Sequence, residues 1–253
     1  MNIVWITGAS SGIGLATAKK FLNENYKVVI SSRNIKKLEK TKQKLLSNSK
    51  NKEIYFYPCD ISKREEVKKT VSKITIEIGY INLGILNAAA YSPNKSQIFS
   101  IENYEYLIDV NLKGTLYCIE SLIEKMNNKN NKHIAIIASP VGYRGLPTAG
   151  AYGLTKAGLI NLAESLYFDL KKNKIKISLI NPGFIESEAT KLNSFRMPFL
   201  KTAEFAANKI FKGLTTSNKF EIFFPWFFII ILKFLRILPY KLYFFIIKKF
   251  TKL

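Results

Sequence analysis

Tyr152 and Lys156 stand four residues apart in the run Ala151-Tyr-Gly-Leu-Thr-Lys-Ala-Gly-Leu159. That spacing puts both side chains on one face of a helix. An ammonium beside a phenol favours the phenolate, so the pair could give and take a proton near neutral pH. Thirteen residues before the tyrosine stands Ser139, with its hydroxyl. Near the N-terminus, Thr7-Gly-Ala-Ser-Ser-Gly-Ile-Gly14 follows an apolar run and leads into an amphipathic stretch. Glycines 8, 12 and 14 let the chain turn sharply and let phosphate oxygens approach a helix N-terminus, whose amides and dipole favour anions. A proton carrier, a nearby serine and a phosphate cradle together predict hydride transfer between a nicotinamide and a carbonyl. A Tyr-x-x-x-Lys pair alone is a weak signal; with the serine and the loop it is a specific one.

These groups come from distant parts of the chain, so a scaffold must bring them together. Short apolar runs alternate with amphipathic stretches, which predicts an α/β fold. The expected form is a Rossmann-type doubly wound parallel sheet of about seven strands with helices on both faces. Strands are expected near 2–6, 27–32, 53–58, 83–87, 133–138, 175–180 and 219–224, with long helices near 102–127 and 151–172. The strands lack strict polar alternation, which fits burial on both faces. Residues 127–131, rich in asparagine, read as a loop.

The motifs closely resemble those of the short-chain dehydrogenase/reductase family, from about Met1 to Phe224. The resemblance implies that Tyr152 is the general acid/base and that Ser139 hydrogen-bonds the substrate carbonyl. It implies that Lys156 holds the nicotinamide ribose and lowers the tyrosine pKa. Asn111, within Asp109-Val-Asn-Leu-Lys-Gly114, is implied to complete a proton relay through water. Gly8, Gly12 and Gly14 would form the phosphate loop, with Ser10, Ser11 and Ile13 along the pyrophosphate. Asp60 would meet the adenine amino group. Asn87 opens Asn87-Ala-Ala89 where the family has Asn-Ala-Gly, a departure of one methyl. Pro182, Gly183 and Ser187 match the nicotinamide-side loop. Val141, Tyr143, Arg144 and Leu146 fall where the family keeps substrate-side residues. Segment 186–200 falls on its variable lid, whose Leu192, Phe195, Met197, Phe199 and Leu200 point either to an apolar substrate or to packing on the core.

Arg33 bears on the choice of cofactor. An NAD site places a carboxylate after the second strand to bind the ribose hydroxyls, whereas this chain reads Ser31-Ser-Arg-Asn34. A guanidinium can pair with the extra phosphate of NADP and stack on adenine. NADP (as NADPH) is therefore the expected cofactor, and no metal is expected.

The formal charge is +21, yet only five of 39 basic residues are arginine. No basic stripe with interleaved aromatics accompanies that charge before residue 225, so nucleic acid is not an expected partner. The excess suits anionic surfaces such as phospholipid or an acidic carrier protein. Cys59 and Cys118 lack the spacing of a disulfide framework or a metal site, which fits a reducing compartment. The opening Met-Asn-Ile-Val-Trp-Ile reads as a strand and leaves no room for a signal peptide. A cytoplasmic protein is the expectation. His133, the sole histidine, reads as structural.

The second signal lies after Phe224. Half of the phenylalanines fall between Phe220 and the end, and six Lys/Arg but no acid follow Glu221. Spanning a bilayer would bury Lys233, Arg236 and Lys241, each at about 2.5–3.5 kcal/mol against about 0.3–0.6 gained per large apolar residue. Two short helices, each opened by a proline, fit better lying in the membrane interface. Residues 1–224 are thus read as the NADP-binding catalytic domain and 225–253 as a tail for an anionic membrane surface. A hydrophobic dimerisation tail is the alternative, and a homodimer is the expected assembly. The leading expectation is a carbonyl reductase or alcohol dehydrogenase for a hydrophobic small molecule or lipid. A 3-oxoacyl carrier-protein reductase and a non-catalytic NADP(H)-sensing scaffold are the alternatives.

Overall fold

The structure is a computed structural model that describes residues 1–92, 99–126, 132–193 and 197–251. The expected loop at 127–131 and Phe195 lie outside the described residues. Seven parallel strands form one sheet in the order β3-β2-β1-β4-β5-β6-β7. They are β1 (Ile3–Thr7), β2 (Lys27–Ser32), β3 (Ile54–Pro58), β4 (Leu83–Leu86), β5 (Lys132–Ile137), β6 (Ile175–Pro182) and β7 (Glu221–Phe224). The first strands wind outward from β1 in one direction and β4 starts the winding in the other. Such a reversal leaves a crevice beyond the carboxyl ends of β1 and β4, where the connecting loops part.

Helices cover both faces. On one side lie α1 (Gly12–Asn23), α2 (Ile35–Ser47) and α7 (Ala203–Thr216), packed on Val4, Ile6, Val28 and Ile30. On the other lie α3 (Arg64–Glu77), α5 (Gly114–Lys125) and α6 (Gly150–Lys172), packed on Ile3, Trp5, Ile134 and Ile136. Neighbouring strand residues go to opposite cores, as the two-residue period of a strand requires. Both kinds of position are apolar because both faces are covered. Trp5 is fully buried, and its one polar atom is satisfied by Nε1–H donating to Ser31 Oγ on the adjacent strand at 2.9 Å.

The helix expected near 102–127 is a composite. α4 (Ile101–Leu107) passes into a π-helical segment, Ile108–Lys113, before α5 begins. Apolar periodicity does not reveal this extra residue per turn. The π segment carries Asn111, whose side-chain Oδ1 accepts from Ala90 N at 2.7 Å.

After β7 come α8 (Trp226–Ile237) and α9 (Tyr240–Thr251), the two short helices expected, preceded by Pro225 and Pro239. No helix among the described residues is long and apolar enough to cross a membrane. The domain boundary expected at 224 is less clean than the sequence suggests. Ile229 of α8 is fully buried and belongs to the core beneath α5 and α6, so the first tail helix is packed onto the sheet domain. α9 contributes one buried side chain, Tyr243, whose hydroxyl donates to the Gly145 carbonyl.

Candidate active site

The loops beyond β1, β4, β5 and β6 enclose a cavity of about 550 Å³. Its phosphate end is set by backbone geometry. Gly8 has φ +65° and Gly12 φ +53°, both in the left-handed region that side chains disfavour. A Cβ on Gly8 would lie 2.7 Å from Ala88 Cα, so the loop is pressed against the chain leaving β4. Asn87 fastens that contact, its Nδ2 donating to the Thr7 and Gly8 carbonyls at 3.0 and 3.1 Å. Thr7 Oγ1 returns the tie by accepting from the Asn87 and Ala88 amides.

Past this turn α1 begins. Its N-cap residue, Ser11, makes no side-chain capping bond, and no acidic residue lies in the first turn. The first amides of α1 therefore have no cap from the protein, beside a cavity lined by Ser10, Ser11, Gly12 and Ile13. Uncapped helix amides at a glycine turn fit a pyrophosphate. Gly14 does not line the cavity. A Cβ there would stand 2.5 Å from Gly8 O and 2.6 Å from Asn87 Nδ2, so its part is to let the loop close on itself.

At one end of the same cavity lie Arg33 and Asp60, beyond β2 and β3. Asp60 Oδ1 accepts from the Ser62 amide and hydroxyl at 3.1 and 2.8 Å. Lys37, one turn into α2, also lines this end, a second cation the sequence reading did not single out. Pro182, Gly183 and Ser187, which follow β6, also line the cavity, and a Cβ on Gly12 would lie 3.3 Å from Ser187 Cβ. Ala89 lines the cavity with its extra methyl, so the departure from Asn-Ala-Gly is accommodated.

Ser139, Tyr152 and Lys156 line the same cavity, with Ser139 hydrogen-bonded to Tyr152. Lys156 is almost fully buried and donates from Nζ to the Ile137 carbonyl at 2.9 Å. Burial lowers its pKa to about 8. Nζ lies 5.5 Å from the centroid of the Tyr152 ring. The tyrosine departs from the expectation of a lowered pKa. Burial pushes its phenol well above the ordinary value, the neighbouring Tyr91 adds to the rise, and a hydrogen bond with Ser139 only partly offsets it. Desolvation penalises the phenolate more than the Ser139 hydrogen bond favours it.

Two more expectations change. Asn111 is buried and does not line the cavity. Its Nδ2 donates to the Ala90 carbonyl at 3.0 Å and Thr155 Oγ1 at 3.1 Å, so in this arrangement it fixes the chain after β4 rather than offering a free amide for a proton relay. Of the four proposed substrate-side residues, Val141 and Leu146 line the cavity and Tyr143 and Arg144 do not. Tyr143 is buried, with its hydroxyl donating to Glu221. Arg144 Nη1 donates to the carbonyls of Leu235 (2.6 Å), Arg236 (3.1 Å) and Leu238 (2.7 Å) at the end of α8. Its guanidinium also lies 4.0 Å from the Tyr243 ring centroid. A cation there meets the free carbonyls and negative dipole end of the helix.

The sequence reading missed Tyr91 and the α8 residues Phe228 and Leu232, all of which line the cavity. Tyr91 stands edge-on to Tyr152 with ring centroids 4.9 Å apart, and its hydroxyl donates to Asn193 Oδ1 at 2.5 Å. His133 is structural, as expected: Nε2 lies 3.0 Å from Ser178 Oγ, and burial lowers its pKa to about 3.

A seven-stranded doubly wound sheet with a glycine turn, a Ser-Tyr-Lys centre and one shared cavity defines a nucleotide-dependent oxidoreductase architecture. The sequence matches the short chain dehydrogenase family over residues 2–196, and the chain belongs to that family. It is 26% identical over 238 residues to an uncharacterized oxidoreductase of Myxococcus xanthus, covering 94% of this chain and 93% of that protein. A Staphylococcus aureus uncharacterized oxidoreductase is 30% identical over 189 residues, covering 75% and 80%. Among solved structures, a Burkholderia phymatum short chain dehydrogenase/reductase in complex with NAD superposes with a TM-score of 0.81 at 21% identity, covering 92% of each chain. An alcohol dehydrogenase from Thermococcus sibiricus complexed with 5-hydroxy-NADP superposes at 0.77 and 22%, covering 88% of this chain and 95% of that one.

Proposed function

We propose that this oxidoreductase uses NADP(H) to interconvert a carbonyl and a secondary alcohol on a hydrophobic substrate, at the surface of an anionic membrane. The convergence of Ser139, Tyr152 and Lys156 on the cavity that holds the uncapped end of α1 carries this reading. The nicotinamide, when bound, supplies or takes up the hydride. Ser139 Oγ holds the substrate oxygen as charge develops on it. Tyr152 exchanges the proton with that oxygen. Burial raises the phenol pKa, which by itself weakens it as an acid, so the hydrogen bond with Ser139 and the Lys156 cation are needed to favour the phenolate as the proton leaves. Lys156 is the adjacent cation that stabilises the tyrosine once its proton is gone, and its side chain would hold the nicotinamide ribose.

Preference for NADP rests on Arg33 and Lys37 at the adenosine end, with no acid among residues 31–34. A cation pair there attracts a 2′-phosphate that a carboxylate would repel.

Membrane attachment rests on the outward faces of α8 and α9. Trp226, Phe227, Phe234 and Ile237 of α8, and Tyr240, Phe244, Phe245 and Phe250 of α9, are all exposed. Described residues 222–251 carry five Lys/Arg and no acid. An apolar face with a basic surround matches a bilayer with anionic headgroups better than it matches water. The test is oxidation of NADPH and NADH with a panel of carbonyls, with and without anionic vesicles. NADPH turnover stimulated by vesicles is expected for bilayer-borne carbonyls. No turnover of either nucleotide with any carbonyl would leave the non-catalytic nucleotide-sensing scaffold in its place.

A further inference from the structure

α8 has two apolar sides, and only one faces outward. Its inner side sets Phe228 and Leu232, one turn apart, in the wall of the catalytic cavity beside Val141, Leu146 and Phe184. The Phe228 ring centroid lies 5.7 Å from that of Phe184 and 5.9 Å from that of Phe199. The ring also approaches Gly183 closely: a Cβ there would stand 3.3 Å from Phe228 Cδ1.

Three fastenings hold this wall in place. Ile229 is buried in the core. Lys233 pairs with Glu221, which also accepts from Tyr143 and from Asn181 Nδ2, the latter at 2.7 Å. Burial alone would raise the Glu221 pKa, but these bonds outweigh it and hold the carboxyl below the usual range. Arg144 closes the far end of the helix. Both connections, through Tyr143 and Arg144, lead back to the loop that begins at Ser139.

The same bonds determine the charge a substrate can carry. Arg144 and Lys233, the cations that fasten α8, are both already engaged within the protein. Among described residues lining the cavity, the charged ones are Arg33, Lys37, Asp60, Lys156 and Glu188. The first three lie at the adenosine end, Lys156 belongs to the catalytic centre, and Glu188 is paired with Lys191 at 2.7 Å and feels the charge of Lys37, so it too belongs to the adenosine side. A carboxylate or phosphate laid along α8 would lose hydration without gaining a partner, whereas a hydrocarbon chain gains from leaving water.

We infer that Phe228 and Leu232 determine specificity, and that the substrate is a neutral ketone or aldehyde whose hydrocarbon chain lies along the inner face of α8. This rests on the reaction proposed above and adds to it the class of substrate and the residues that select it.

The test uses the full chain, a series of 2-alkanones of increasing length and a keto acid matched in length to one of them. In wild type, kcat/KM should rise with chain length and the keto acid should be poor. Phe228→Ala and Leu232→Ala should each lower the long-to-short ratio of kcat/KM about ten-fold, the scale of a lost apolar contact. Phe228→Leu should lower it less. Leu232→Lys should raise the ratio of keto acid to ketone. Thermal melts verify folding of each variant. A ratio unchanged within about two-fold in folded Phe228→Ala and Leu232→Ala would overturn the inference. A second readout does not need turnover: equilibrium binding of non-reacting N-alkyl amides to enzyme saturated with NADP⁺. Affinity that grows with chain length, and loses that growth in Phe228→Ala, supports the wall even if no carbonyl is reduced and the proposed reaction fails. Affinity independent of chain length overturns it.

Discussion

Lys156 Nζ lies 5.5 Å from the ring centroid of Tyr152 while donating to the Ile137 carbonyl at 2.9 Å. The helical spacing of the two residues delivers the neighbourhood that their sequence suggests, but its electrostatic result is reversed. Both groups are desolvated, and desolvation disfavours whichever form is charged. It therefore lowers the lysine and raises the tyrosine. Burial thus favours the protonated phenol.

Tyr152→Phe keeps the ring against Tyr91 and removes only the hydroxyl. Turnover should fall by about a hundred-fold or more, the scale of general acid catalysis. NADPH affinity, measured by fluorescence titration, should change little. Wild-type turnover in this variant would mean the proton comes from elsewhere.

The lowered Lys156 sets a pH dependence. Its pKa of about 8 means that the cation beside Tyr152 is present below pH 8 and lost above it. Reductive kcat/KM should therefore decline as pH rises through about 8, with a slope of one proton. Stability runs the other way. A folded pKa below the unfolded one means that the unfolded chain binds more protons between about pH 8 and the ordinary lysine value, so this group's contribution to stability rises with pH across that window. Opposite slopes of rate and melting temperature between pH 7.5 and 9.5 would identify Lys156. Parallel slopes would point to another group.

Arg33 and Lys37 both line the cavity, where the proposed NADP would place its adenosine. Arg33→Asp replaces attraction by repulsion at a 2′-phosphate and offers a carboxylate to the ribose hydroxyls. The ratio of kcat/KM for NADPH over NADH should fall at least about ten-fold, as expected for loss of a charge-assisted pair worth roughly 1.5–3 kcal/mol. Lys37→Ala should lower it less. Wild-type preference for NADH would overturn the NADP assignment.

What the sequence revealed and what it hid follow one rule. Tyr152 with Lys156, and the turn from Gly8 to Gly14, depend on local spacing, so a helix or a tight turn fixes their relation. Arg144 reads equally well as a substrate residue, because its partners at 235–238 are about ninety positions away and only the tertiary fold brings them together. Tyr91 lies 61 positions before the ring it touches and belongs to no motif. Phe228 and Leu232 sit in a tail whose composition announces apolar surface but not which side of the helix turns inward. Asn111 shows a third case. Its position in the chain was legible, but the π-helical segment that turns its amide onto Ala90 was not.

That inward side changes how the membrane reading must be tested. Removing residues 225–253 would uncover the core around Ile229 and open the cavity at Phe228 and Leu232, so truncation would confuse attachment with catalysis. Phe227 and Phe234 point the other way, exposed at 53% and 58%. Replacing both with serine should leave the melting temperature and circular dichroism near those of wild type. Co-sedimentation with anionic vesicles should fall about ten-fold or more, since burial of a large apolar side chain is worth about 1.5–3 kcal/mol. Because lysines and Arg236 add attraction to anionic headgroups, raising the salt should weaken wild-type binding only in part, leaving the apolar component. Vesicles of zwitterionic lipid should retain less protein than anionic ones at low salt. Equal sedimentation of the wild type and the double variant would overturn the membrane reading. If the double variant instead turns a dimer into a monomer by sedimentation equilibrium, the outer face of α8 is a subunit interface.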